Sequence, residues 1–104
     1  MDFKDKVVVV TGAGRGIGRQ IAQDFAEKGA KLALFDLDQE SLQATQKQLS
    51  NLTECESFLV NITDWQALTC AIDKVIDKFL KIDILINNAG ITKDGLALRL
   101  SEND

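Results

Sequence analysis

Gly12, Gly16 and Gly18 fall as G-x-x-x-G-x-G inside "TGAGRGIG", residues 11–18, directly after the apolar run Lys6–Val10. Glycines at such positions let the backbone take positive φ and let an anionic group approach with no Cβ in the way. Where the turn opens a helix, the first N–H groups and the positive end of the helix dipole face the same point. The chemistry this spacing suits is the binding of a phosphate-bearing ligand. A tight strand-to-helix turn alone would need one glycine, and three would each carry a helix-propensity penalty. The pattern departs from G-x-G-x-x-G, since Ile17 or Arg19 stands where the last glycine would fall, and no Gly-Lys-Ser/Thr follows to make a P-loop.

A second candidate is Asp36, directly after "KLALF" and 18 residues past Gly18, where a carboxylate can accept hydrogen bonds from an adenosine ribose and repel a 2′-phosphate. The competing role for it is a helix N-terminal carboxylate shared with Asp38. Arg15, inside the turn, could pair with a 2′-phosphate or simply stand in solvent. On these residues NAD is favoured and NADP remains possible.

Other chemistries lack their raw material. The 104 residues contain no histidine and two cysteines, Cys55 and Cys70, in no C-x-x-C pair, so neither a metal site nor a disulfide framework is signalled. Both cysteines are expected to be reduced and mostly buried. With 16 acidic and 12 basic residues, a net charge of −4 and no Lys/Arg block, no nucleic-acid or membrane-surface partner is expected. "MDFKDK" is not an export leader and no stretch reaches membrane-spanning length, so the expected location is the cytoplasm.

These residues must be held by elements that the hydrophobic pattern outlines. Lys6–Val10, Lys31–Phe35, Ser57–Val60 and Asp83–Asn87 read as short buried strands. Between them, Ile17, Ile21, Ala22, Phe25 and Ala26 make one helical stripe, stopped by Gly29. Leu42, Leu49 and Leu52 fall on one face of a mostly polar helix starting near Asp38. Thr63 with Gln66 forms a capping-box pair opening a third helix on Trp65, Leu68, Ile72, Val75, Ile76 and Phe79. Such β-α-β alternation, with right-handed crossovers, predicts an α/β fold: a doubly wound parallel sheet in strand order 3-2-1-4, with the first two helices on one face and the third on the other. No repeat, proline or low-complexity linker divides the chain, so residues 1–104 are read as one domain.

Thr11, Gly12, Gly16 and Gly18 as T-G-x-x-x-G-x-G, together with Asn87, Asn88, Ala89 and Gly90 as N-N-A-G after the fourth strand, resemble the short-chain dehydrogenase/reductase family, with its Rossmann-type fold. "NNAGITKDGLALRL" looks most like the 3-oxoacyl-[acyl-carrier-protein] reductases of fatty-acid biosynthesis. The resemblance implies an NAD(P)-dependent oxidoreductase whose cofactor lies along Gly12, Ala13, Gly14, Arg15, Gly16, Ile17 and Gly18. Asn61 and Ile62 would flank the adenine, although most members carry Asp where Asn61 stands. Asn88, Ala89 and Gly90 would line the cofactor, and Asn87 would brace neighbouring strands. For Asn61 and Asn88 the plainer alternative is strand-end hydrogen bonding. In the intact enzyme it implies an acyl-carrier-protein or small-molecule substrate and a homo-oligomer.

The family's hydride transfer uses a Ser and a Tyr-x-x-x-Lys set, and this chain has no tyrosine. Ser41, Ser50, Ser57 and Ser101 fall in the wrong segments, so no catalytic residue is assigned and the 104 residues alone are expected to bind without catalysis. "SEND", with Ser101 and Asp104, reads as a helix start, and the chain is expected to be the N-terminal, cofactor-binding portion of a longer enzyme. The sheet is then incomplete at its fourth-strand edge and half-covered on one face, so the isolated chain is expected to need a partner or to aggregate. The alternatives to an acyl-thioester reductase are an NAD-dependent dehydrogenase of another secondary alcohol, such as a hydroxysteroid or sugar alcohol, and a non-catalytic nucleotide-binding module.

Overall fold

The chain alternates strand and helix throughout its described part, because apolar β-branched runs are separated by amphipathic segments of helical period. The structure, a computed structural model, describes residues 3–88. Its elements are β1 (Val7–Thr11), α1 (Gly16–Glu27), β2 (Lys31–Asp36), α2 (Gln39–Leu49), β3 (Cys55–Leu59), α3 (Trp65–Phe79) and β4 (Ile84–Asn87). The four strands form one parallel sheet in the order β3-β2-β1-β4, as the alternation predicts. Val10 pairs with Leu34 on one side and Ile86 on the other, and Thr11 lies level with Phe35 and Asn87.

The two faces of β1 and β2 separate the helices. Val8, Val10, Leu32 and Leu34 pack with Ala22 and Ala26 of α1 and Leu42 and Leu49 of α2. Val7, Val9, Ala33 and Phe35 pack on the other face with Ala71, Val75 and Phe79 of α3. Continuous apolar strands are required because β1 is buried on both sides. Phe58 extends the second cluster by meeting Phe35 edge to face at 5.6 Å. Both α1 and α2 therefore cover one face, and α3 covers the other.

Several expectations shift. β1 runs one residue later than Lys6–Val10 and β3 begins earlier than Ser57, at Cys55. Ile17 is 72% exposed, because it stands in the first turn of α1, past the end of β1, where no strand lies beneath it. Leu52 falls after α2 has ended at Leu49 and is exposed, and Trp65, the first residue of α3, is 76% exposed for the same reason as Ile17. Ile76 is exposed on the outer flank of the α3 stripe. The cap of α3 is Asp64 and not Thr63: the Asp64 carboxylate accepts from the Gln66 and Ala67 N–H groups at 3.1 and 3.2 Å, while the Thr63 hydroxyl is turned back to Asn61. A charged acceptor over the first turn is the better match to the helix dipole. Cys55 is buried but Cys70 is exposed, since α3 turns that position away from the sheet. Burial, helped by the charge of Glu56, pushes the Cys55 thiol up to about 12. Among the described residues no helix is long and apolar enough to cross a membrane, and no group of His, Cys, Asp and Glu could hold a metal ion. Ser101 and Asp104, the expected helix start, lie outside the described residues.

Candidate functional site: the glycine turn at the end of the central strand

Because β2 and β3 leave β1 on one side and β4 joins it on the other, the strand order reverses at the carboxyl ends of β1 and β4, where open α/β sheets have their ligand crevice. The glycine turn follows β1 at that crevice position. Gly18 is where α1 passes closest to the preceding chain: a Cβ there would lie 1.9 Å from the Gly12 carbonyl oxygen and 2.7 Å from Asn88 Nδ2. No side chain fits, and α1 is therefore seated directly on the end of β1. Gly16 differs, with φ +59° and open space where a Cβ would be, so its glycine serves backbone conformation and leaves an unobstructed side.

The turn is tied down on three sides. The Ala13 N–H donates to the Phe35 carbonyl at 3.1 Å, the Gly14 N–H to Asp36 Oδ2 at 2.7 Å, and the buried Thr45 hydroxyl to the Gly14 carbonyl at 3.0 Å. Asn88 Nδ2 donates to the Gly12 carbonyl at 3.3 Å. By contrast the first turn of α1 has no side-chain cap; Arg15 occupies the cap position in an extended conformation. The leading N–H groups of a helix have no intrahelical acceptor, so this end can receive an anion.

Asp36 is half-buried at the end of β2, with Oδ1 accepting from the Leu37 and Asp38 N–H groups at 2.7 and 3.2 Å as Oδ2 accepts from Gly14. A carboxylate offers about four acceptor positions, so about one remains for an incoming hydroxyl. Asp36 and Asp38 do not share one role: Asp38 caps α2, accepting from the Glu40 and Ser41 N–H groups and from the Ser41 hydroxyl at 2.8 Å. The Ser41 hydroxyl, then the Ser41 N–H, hold the Asp38 carboxyl below the usual carboxylate range, and the charge of Arg15 adds to the effect. Arg15 is exposed, with its charge felt at Asp38.

The remaining predicted residues divide. Asn87 braces the strands as expected, accepting from the Thr11 hydroxyl at 2.9 Å. Asn88 reaches the turn. Asn61 is exposed beyond β3, its Oδ1 accepting from the Thr63 N–H and hydroxyl at 3.0 and 2.7 Å, which is strand-end hydrogen bonding. Ile62 packs part-buried against the α3 side of the core. Ala89 and Gly90 lie outside the described residues. Sequence reasoning missed Thr45 and Asp83. Thr45 is a hydroxyl on the apolar face of α2, between Leu42 and Leu49, and that misplaced polarity was a readable signal. Asp83 accepts from the Val7 N–H at 2.8 Å, which with Lys81 holds its carboxyl below the usual range. It fixes the start of β1 against β4 and had no signal in the sequence.

A parallel sheet in this order, with a glycine turn closing the end of its central strand, defines a Rossmann-type α/β protein. The chain belongs to the short chain dehydrogenase family, whose pattern it matches over residues 6–104. It is 36% identical over 105 residues to the 3-oxoacyl-[acyl-carrier-protein] reductase FabG of Thermotoga maritima, covering 100% of this chain and 43% of that protein. Among solved structures it is similar to an NAD+-bound xylitol dehydrogenase, with a TM-score of 0.80 and 35% identity over 82% of this chain and 33% of that one. It is also similar to a hydroxysteroid dehydrogenase from Escherichia coli, with a TM-score of 0.81 and 34% identity over 86% of this chain and 37% of that one. The chain thus spans less than half the length of the proteins it matches.

Proposed function

We propose that this chain is the cofactor-binding portion of an NAD(P)-dependent oxidoreductase that reduces 3-oxoacyl thioesters carried on acyl-carrier protein. The observation that carries the reading is the uncapped, glycine-lined start of α1 facing the Asp36 carboxylate across the turn. The residues fit a dinucleotide: the α1 end and the open side at Gly16 suit a pyrophosphate, and Asp36 has acceptor capacity left for a ribose hydroxyl. Asn88 lines the crevice beside Gly12, and Ala89 and Gly90 would continue that lining. Asn61 and Ile62 would flank the adenine.

When bound, the nicotinamide supplies the hydride for a β-carbonyl. The chain's own residues would bind and orient the cofactor: the turn backbone would hold the phosphates and Asp36 the adenosine ribose, while Asn88 on Gly12 and Asn87 on Thr11 hold β4 and its end to β1. The family's proton donor is a tyrosine, which these 104 residues do not include, so on this reading the chain by itself would bind without turning over. Asp36 favours NAD, because a 2′-phosphate would meet its negative charge, while Arg15 is the group that would admit NADP.

The test is calorimetric titration with NAD and NADP. Binding of NAD at least about tenfold tighter than NADP supports the reading, with Asp36→Asn narrowing that gap; tighter NADP binding overturns the NAD assignment, and no binding of either overturns the function. The acyl-thioester substrate has a rival. The similarity to xylitol and hydroxysteroid dehydrogenases, at 35% and 34% identity against 36% for the reductase, favours another secondary alcohol as a second reading. Turnover of the parent enzyme on a 3-oxoacyl thioester set against a panel of sugar alcohols and hydroxysteroids separates the two.

A further inference from the structure

The peptide between Gly14 and Arg15 is the one part of the glycine turn whose direction is set by a side chain from a distant helix. Thr45 is fully buried, and its hydroxyl donates to the Gly14 carbonyl at 3.0 Å. In a trans peptide the C=O and N–H point opposite ways, and the chain has no cis peptide bond among its described residues. A carbonyl drawn inward to α2 therefore turns the Arg15 N–H away from α2, beside the uncapped start of α1, and no described residue accepts from it. The neighbouring peptide obeys the same rule: the Gly12 carbonyl is taken by Asn88 and the Ala13 N–H, on the opposite side, by Phe35.

We infer that Thr45 is a positioning residue for nucleotide binding, which aims the Arg15 N–H at the ligand by holding the Gly14 carbonyl; this rests on the cofactor-binding role proposed above. Thr45 touches no ligand. Its methyl and its hydroxyl do different things: the methyl fills the core between Leu42 and Leu49, and the hydroxyl orients the turn. Asp36 holds the other side of the same residue through the Gly14 N–H, so loss of the Thr45 bond frees the carbonyl to swing while the amide stays pinned.

Thr45→Val keeps the volume and removes the donor, whereas Thr45→Ser keeps the donor and removes the methyl. NAD and AMP are titrated into the wild type and both variants, and each is melted thermally. Thr45→Val is expected to weaken both ligands about tenfold, as one lost hydrogen bond with its acceptor left unsatisfied would. Thr45→Ser is expected to melt lower yet bind within about twofold of wild type, a split that simple packing would not produce. Wild-type affinity in Thr45→Val, or weakening in Thr45→Ser as large as in Thr45→Val, overturns the inference while leaving the cofactor role standing. If Thr45→Val does not fold, Thr45→Ser decides: lowered melting with intact affinity supports it and weakened affinity overturns it. A wild type that binds neither NAD nor AMP removes the cofactor role and this inference with it.

Discussion

Among the described residues three helices begin against the same sheet, and they begin in two ways. The starts of α2 and α3 are closed by their own aspartates, Asp38 and Asp64, each accepting from two N–H groups of the first turn. The start of α1 runs Gly16-Ile17-Gly18 and has no side-chain cap hydrogen bond. The difference teaches where the fold has been satisfied internally and where it has been left for something else. An aspartate cap contributes stability and closes a helix end to anions, whereas the α1 end forgoes that stability and stays open.

Substitutions can break that contrast, and the largest effect is expected at Gly18. Its missing Cβ is what lets α1 sit on the Gly12 carbonyl, so Gly18→Ala forces backbone apart. We expect a loss of about 3 kcal/mol or more in urea unfolding, with nucleotide binding abolished. Unchanged affinity would mean the α1 end is not where the ligand sits.

A capped start should behave oppositely. Asp64→Ala should cost about 1 kcal/mol in the same unfolding measurement and weaken NAD far less than Gly18→Ala does, because the N–H groups that Asp64 caps belong to α3 and not to the glycine turn. A loss of affinity there as large as at Gly18 would erase the distinction between the two kinds of start.

The smallest effect sharpens the comparison by pH. Asp38 and Asp83 have carboxyls held below the usual value of 3.8, so each contributes stability that is fully present above that value and is lost as pH falls through the lower folded one. Melting temperatures followed from pH 5 downward should fall less steeply in Asp38→Asn and Asp83→Asn than in the wild type. Parallel curves would show that neither carboxylate is bonded in the folded chain as described.

Much of this was legible in the residues alone. Strand order followed from the alternation of buried runs and amphipathic helices, and the turn from glycines that have no other economical use between Thr11 and Ile21. Periodicity failed at element ends. It assigns a residue to a face but does not say whether anything lies beneath that face, so Ile17, Leu52 and Trp65 counted as core and are exposed. The cap at Thr63 failed for a related reason: two adjacent residues could both cap, and Asn61, which decided between them by engaging Thr63, acts through a side chain whose direction no spacing rule reports. Thr45 was hidden because its partner is a backbone carbonyl 31 positions away, and a carbonyl carries no sequence signature.

The pairing of β1 with β4 also dictates an order of events as the chain folds. Asn88 and its acceptor on Gly12 are 76 positions apart, whereas the β1–β2 ladder joins neighbours in the β-α-β series. Closing the longer loop costs more entropy and brings no contacts until it is complete, so β1 and β2 can assemble with α1 well before β4 arrives. On a ribosome the glycine turn emerges early and waits, with its Gly12 carbonyl unclaimed by Asn88, through the synthesis of six further elements, α1 to β4. β4 completes the crevice after β1 and β2 have paired, and on the function proposed above nucleotide capture would report that the β1–β4 half of the sheet has closed.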